Sequence, residues 1–305
     1  MKTSLWWRIG TAALVLGSIV YTSTAPRKAI AARKNKEEEI DGDTVLPEYR
    51  RTFDENPLLP DTWTFGAVWS TIYAGTAAYA IHQALPSQEN NARYRQALPW
   101  LAASYALNAV FGKFFAKPGM EDQIGADLVT KATLPLSIGL HQALEIGQTR
   151  VEGPEKYLRI PFSLYAGWLT TATVVGTPNL LLNLKVWKPD SQRDTPVFVG
   201  ILGATTGAAY TIARRLNDPF YLLPFVAGFA GIATKQYGKN KVVALPAATF
   251  SLVTAGIVAK WVPKGKFEPI NRKVIEIQPG EEVIVFDRDD EPQNEEAESY
   301  SYTSL

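Results

Sequence analysis

Residues 57–85 read PLLPDTWTFGAVWSTIYAGTAAYAIHQAL, and from Thr62 to Gln88 there is no Asp, Glu, Lys or Arg. Charged residues make up 20% of the chain, so a charge is due at about every fifth position. A gap of this length instead matches the roughly 20 residues that carry a helix across a ~30 Å hydrocarbon core. The stretch lacks strand-like alternation, and a helix satisfies every backbone group within itself, as lipid requires. Pro57 and Pro60 ahead of it fix an extended lead-in.

Outward from this stretch, charge-free gaps recur at 9–26, 96–112, 132–144, 160–184, 195–213, 219–234 and 242–259. They predict an all-α fold, a polytopic membrane helix bundle. The expected spans are 5–21, 64–85, 97–116, 125–147, 161–183, 196–213, 219–234 and 242–261. Gly, Ala, Ser and Thr crowd their interiors, which lets helix backbones approach closely. The mean hydropathy of −0.07 is diluted by two polar regions, 22–61 and 263–305. With no cysteine, and 31 basic against 30 acidic residues, the composition excludes a disulfide scaffold, a cysteine–metal site and a charge-driven nucleic-acid binder. Basic residues divide almost equally between the two sides, so the positive-inside rule leaves orientation open.

The chain divides into five parts. Residues 1–21 read as a membrane anchor or signal helix, with the basic residues from Arg27 to Lys36 favouring an anchor. Cleavage after Ser23-Thr24-Ala25 would leave Pro26 opening the mature chain. Residues 22–61 carry seven basic and nine acidic residues and read as an exposed flexible linker. Residues 62–185 form a helical core, 186–262 add three helices, and 263–305 form a polar tail. In that tail 274–277 and 283–286 could pair as a hairpin around Pro279-Gly280, before an acidic end.

Phe65, Trp69, Ile72 and Tyr73 recur at helical spacing after the proline lead-in. The order Phe-Gly-x-Val-Trp-x-x-Ile-Tyr resembles the second helix of the TspO/MBR family (tryptophan-rich sensory or translocator proteins). Leu107-Asn108-x-x-Phe111 with Phe114-Phe115 is similar to that family's third helix, with Phe111 in place of a Trp. Tyr165, Trp168, Ala172 and Asn183 resemble its fifth. The chain departs from the pattern at Pro161, four residues before Tyr165, at Gly176 in place of Asn, and at Leu180 and Leu181 in place of aromatics. The resemblance covers about 57–185, with 5–21 as a candidate first helix, and makes the chain an extended relative.

The resemblance implies a five-helix bundle with an aromatic pocket beneath the first loop, able to take a flat, tetrapyrrole-like ligand such as porphyrin or haem. Carried over by position, Trp69, Asn108, Trp168 and Ala172 would line it, with Trp63, Phe65, Tyr73, Phe111 and Tyr165 as neighbours. Large π-faces and a few indole or amide hydrogen bonds suit such a ligand. Packing or interfacial belts account equally well for Trp69 and Trp168, and packing is the better reading for Tyr73 and Phe111.

Ionisable groups within spans are costly and often functional. Asp127 with Lys131, and His141 with Glu145, stand at i,i+4, each pair able to neutralise itself near one end of its helix. A proton or ligand relay through these four is the alternative. His82 and His141 have no paired spacing that would mark a haem site, and no resident cofactor or metal is expected. Asn108, Asn179 and Asn183 read as interhelical hydrogen bonders. Gly200, Gly203, Gly228 and Gly231 read as helix contacts, and no nucleotide, zinc or nucleophile motif accompanies them.

The leading expectation is therefore an integral binding protein acting as sensor, carrier or scavenger, without turnover, in a bacterial cell or photosynthetic membrane. Its partners would be lipid, an apolar ligand, and a second copy or another membrane protein. The rivals are a structural subunit of a membrane complex and a transporter. No inverted repeat supports the transporter.

Overall fold

The computed structural model describes residues 4–37, 56–115, 120–188 and 190–262, and among them every regular element is helical. In chain order these are α1 (Leu5–Glu37), α2 (Thr62–Ala84), α3 (Ala92–Phe115), α4 (Met120–Ala143) and the short α5 (Pro154–Leu158). They continue as α6 (Ile160–Asn183), α7 (Ser191–Leu216), α8 (Leu223–Gln236) and α9 (Lys241–Trp261). A 3-10 turn, Pro219–Leu222, precedes α8 because the Asp218 carboxylate accepts from the Phe220 N–H at 2.9 Å. Asn240 caps α9 in the same way, its Oδ1 accepting from Val242 and Val243.

Five helices close a ring. α1 packs on α2 and α3, α3 on α4, α4 on α6, and α6 returns to α2. Apart from the short α5, the remaining three, α7 to α9, form a module in which α9 packs on α7 and α8, and α8 docks on α2 and α6. The chain is an all-α membrane bundle. Within the described residues, Leu5–Ala25, Arg193–Leu216 and Lys241–Trp261 are long and apolar enough to cross a membrane. About a third or less of each is buried inside the bundle, so these helices present most of their surface outward. α6, by contrast, buries eleven of its 24 residues. Thr, Gly and aromatic residues lower its hydropathy, and it can carry them because neighbouring helices stand where lipid would.

The expected linker at 22–61 is corrected at both ends. α1 continues to Glu37 because residues 27–37 are mostly Ala, Lys, Arg and Glu, all strong helix formers. Asn56 and Leu58 are fully buried, so the segment before α2 belongs to the core. The expected hairpin and acidic tail, like 38–55, lie outside the described residues. α4 starts five residues earlier than expected and ends at Ala143, which moves every polar residue on it relative to the helix ends.

The glycine contacts hold in part. A Cβ on Gly231 would run into the Thr64 hydroxyl, so the α8 backbone sits directly against the Thr64 side chain of α2 there. Gly228 lies 3.1 Å, measured from its would-be Cβ, from Thr171 on α6. Gly203 makes ordinary contact with Phe250, whereas Gly200 has no neighbour within 4 Å and is no helix contact.

Candidate ligand-binding site

Phe65, Trp69 and Tyr73 occupy successive turns of α2 and face Tyr165 and Trp168 on α6. Trp69 is the hub. Its ring lies 4.9 Å from Tyr73, 6.1 Å from Tyr165 and 6.4 Å from Trp168, between centroids. Phe65 meets Trp168 edge-on at 5.6 Å. Such offset and edge-on pairs are the favoured aromatic geometries.

Asn108 ties this cluster to α1. Its Oδ1 accepts from the Tyr73 hydroxyl at 2.9 Å, and its Nδ2 donates to Ser18 Oγ at 2.8 Å and to Thr22 Oγ1 at 3.2 Å. The Thr22 hydroxyl donates back to the Asn108 carbonyl at 3.0 Å. Both amide hydrogens are therefore engaged, while one lone pair on Oδ1 remains able to accept.

Beside this hub lies a small, partly open void with about 20 Å³ of cavity space, lined by Trp69, Asn108, Phe111, Thr130, Thr133, Tyr165 and Leu169. It sits roughly 10 Å inside the end of the ring where α2 begins, from the seven residues between Thr62 and Trp69. The Thr130 and Thr133 hydroxyls donate to Ala126 and Val129 carbonyls of their own helix, at 2.9 and 2.7 Å. They offer the void acceptor lone pairs.

The structure brings four of the nine proposed residues to the void: Trp69, Asn108, Phe111 and Tyr165. Trp168, 1% exposed, stands behind Trp69 as packing support, with Phe65 against it. Tyr73 acts through its bond to Asn108. Ala172 is half-buried on α6 and does not line the void. Trp63 is 48% exposed and turned toward α8, where its indole N–H donates to Thr234 Oγ1 at 3.3 Å.

Sequence reading missed the α4 wall, Thr130 and Thr133, together with Leu169. Leu169 was within reach of the pattern, one turn after Tyr165 on the same face. The two threonines carry no aromatic or charged signature, and only the ring closure places them.

The ionisable residues on and after α4 do not form one relay. Asp127 and Lys131 pair at 2.5 Å, as expected, but seven and eleven residues inside α4 rather than near its end. The room for this pair comes from Gly176, where a Cβ would clash with Asp127 Oδ1. His141 does not pair with Glu145. Its Nε2 lies 2.8 Å from Asp218 Oδ2, both groups being almost fully buried, because the chain leaves the helix at Ala143 and turns. Glu145, at φ +51°, instead faces Arg93 at 3.8 Å.

That opposite end of the ring is closed by charge. Arg93 holds Glu155 through Nε at 2.8 Å and Nη2 at 3.2 Å, and the bond to Glu155 raises the Arg93 pKa. Arg159 donates to the Thr149 and Leu144 carbonyls, and burial lowers its pKa against the opposing pull of Glu155. His82 bonds Tyr94 at 3.0 Å there. Both histidines thus lie away from the void, and among the described residues no cluster of three His, Cys, Asp or Glu could hold a metal ion.

Asn108 and Asn183 bond between helices as expected, whereas Asn179 bonds to the segment ahead of α2. Asn179 Oδ1 accepts from Asn56, and Asn183 Nδ2 donates to Gln123 Oε1 at 3.1 Å across α6 and α4.

The family model described as TSPO-like protein matches residues 42–260, well over half of the chain. No curated protein and no solved structure matches it. The chain belongs to the TSPO-like protein family.

Proposed function

We propose that this TSPO-like membrane protein binds a flat hydrophobic ligand of tetrapyrrole type in the void beside Trp69, as a sensor, carrier or scavenger without turnover. We place it in a bacterial cell or photosynthetic membrane. The observation that carries the reading is the convergence of Trp69, Asn108, Phe111 and Tyr165 on one cavity from three helices. The aromatic walls suit a flat π-system, and the spare lone pairs of Asn108 and the two threonines suit a ligand with N–H donors. The distance of both histidines favours a metal-free ring over an axially ligated haem.

At about 20 Å³, room for roughly one water, the cavity is far smaller than the ~300–1,000 Å³ of pockets that enclose drug-sized ligands. A whole macrocycle therefore requires a wall to move, and half-buried Phe111, stacked on exposed Phe115 at 5.1 Å, is the wall with room to do so. The test is an absorbance titration of the detergent-purified protein with protoporphyrin IX. Trp69→Ala should abolish the saturable Soret shift and Trp168→Ala should weaken it. Unchanged titrations in both variants would remove the pocket assignment.

The near-complete burial of Trp168 also fits a second reading, in which the aromatic cluster only packs and the protein is a subunit of a membrane complex. It predicts stoichiometric co-purification with a larger assembly after gentle solubilisation, lost on deleting residues 263–305.

A further inference from the structure

The segment Asn56–Asp61 contains Pro57 and Pro60, which have no N–H and leave it poor in donors of its own. The Leu59 N–H reaches the Asn56 carbonyl at 3.2 Å, and the other buried carbonyls need donors from elsewhere. The donors come from α8. Lys235 Nζ donates to the Asn56 and Leu59 carbonyls, each at 3.1 Å, and Gln236 Nε2 to the Pro57 carbonyl at 3.2 Å. In return the Asp61 N–H donates to the Gly231 carbonyl at 3.1 Å.

The ring side is held by Asn56. Its Nδ2 reaches the Val175 carbonyl at 2.9 Å and Asn179 Oδ1 at 2.7 Å, while its Oδ1 accepts from the Leu58 N–H at 2.9 Å. The grip extends into the first turn of α2 through the Trp63–Thr234 bond and the close approach of Gly231 to Thr64. Phe65 stands in that same turn and Trp69 one turn beyond it.

We infer that α8 is a clamp that fixes Asn56–Asp61 and the start of α2, and thereby sets Phe65 and Trp69 against Trp168, with Lys235 and Asn56 as positioning residues of the pocket. The consequence for binding rests on the ligand-pocket reading above; the clamp itself rests on these contacts. It gives the α7–α9 module a role in the site although none of its residues lines the void. An α8 that loosens frees the α2 wall, and a held α8 keeps that wall in place.

The test is hydrogen exchange by mass spectrometry on the full chain in detergent, run beside protoporphyrin IX dissociation kinetics. In Lys235→Met, amides of residues 58–69 should exchange about tenfold faster or more, the scale of losing a hydrogen bond to a charged group. Those of α3 and α9 should not change. Protoporphyrin IX should leave at least severalfold faster, and Lys235→Arg, which keeps the donors, should restore both readouts. Asn56→Ala should reproduce the loosening from the ring side.

Unchanged exchange at 58–69 in both variants overturns the clamp. Faster exchange with wild-type dissociation overturns the positioning role. If the wild type binds no protoporphyrin IX, the pocket reading fails on its own. Exchange at 62–69 then decides the clamp, acceleration in Lys235→Met supporting it and no change overturning it.

Discussion

Across the ring, seams between helices are made by directed polar bonds. Asn108 joins α3 to α1 and α2, Asn183 joins α6 to α4, and the buried Gln83 on α2 donates to the Arg8 carbonyl on α1 at 2.9 Å. In the α7–α9 module two side-chain bonds, Ser251 Oγ to the Val226 carbonyl at 2.9 Å and Asn240 Nδ2 to Thr195 Oγ1 at 3.2 Å, accompany a continuous run of rings. Tyr221, Phe225, Phe229 and Phe250 follow one another at centroid spacings of 5.6, 6.4 and 6.4 Å. Lys241–Trp261 reaches a mean hydropathy of 2.0, the highest of the three candidate spans.

A hydrogen bond fixes where a side chain points, so it can hold space open beside it. The bond from Tyr73 holds the Asn108 amide at the edge of the void. Apolar chains have no such constraint and collapse until they fill. The ring can therefore keep a cavity, and the module can serve as a rigid backing for it.

The comparison can be broken at its joints. The largest effect is expected where the two regions share a buried polar pair. Asp218→Ala leaves His141 buried without its partner and removes the cap on Phe220, a loss of about 3–5 kcal/mol by analogy with broken buried pairs. It should appear as a large drop in thermal stability in detergent; an unchanged melting curve would mean that this pair does not join module to ring. Phe225→Ala should cost about 3 kcal/mol or more through lost contact and a cavity. Here exchange should accelerate mainly in residues 219–262, and equal acceleration in α1 and α3 would contradict a separately packed module.

A smaller loss, about 2 kcal/mol, is expected for Asn108→Ala, from three side-chain bonds at roughly 0.6 kcal/mol each. Asn108→Asp, which keeps the acceptor toward Tyr73 but loses both donors toward α1, would show which side of the hub matters more. The smallest effect is for Asn183→Ala, about 0.6 kcal/mol for one interhelical bond. A loss several times larger would mean that the α4–α6 seam depends on that bond far more than its single contact suggests.

Much of this was legible in the sequence, for definite reasons. Charge-free runs separated by Pro and charged loops give helix existence and order, because lipid forces each span to satisfy its own backbone. The Phe65, Trp69 and Tyr73 spacing gave the aromatic face of α2, from which Trp69 reaches the cavity, and Asn108 and Asn183 gave two of the seams. What the sequence could not supply was the partner of each polar group across helices. His141 reads as a neighbour of Glu145 only if α4 continues past Ala143. Asp218, 77 residues away, becomes its partner through tertiary folding. Lys235 likewise looks like a flank of a span until the carbonyls of Asn56 and Leu59 arrive beside it. Trp63 stands two residues before Phe65, about 200° around the helix, which sends its ring to α8.

The central claim is that the void beside Trp69 is a ligand site. It is tested most directly by tryptophan fluorescence of the purified protein titrated with protoporphyrin IX, with Trp69→Phe alongside. The account predicts saturable quenching at micromolar ligand, with both amplitude and affinity reduced in the variant. Quenching that never saturates, or that is identical in the two proteins, would contradict it and leave the aromatic cluster as packing.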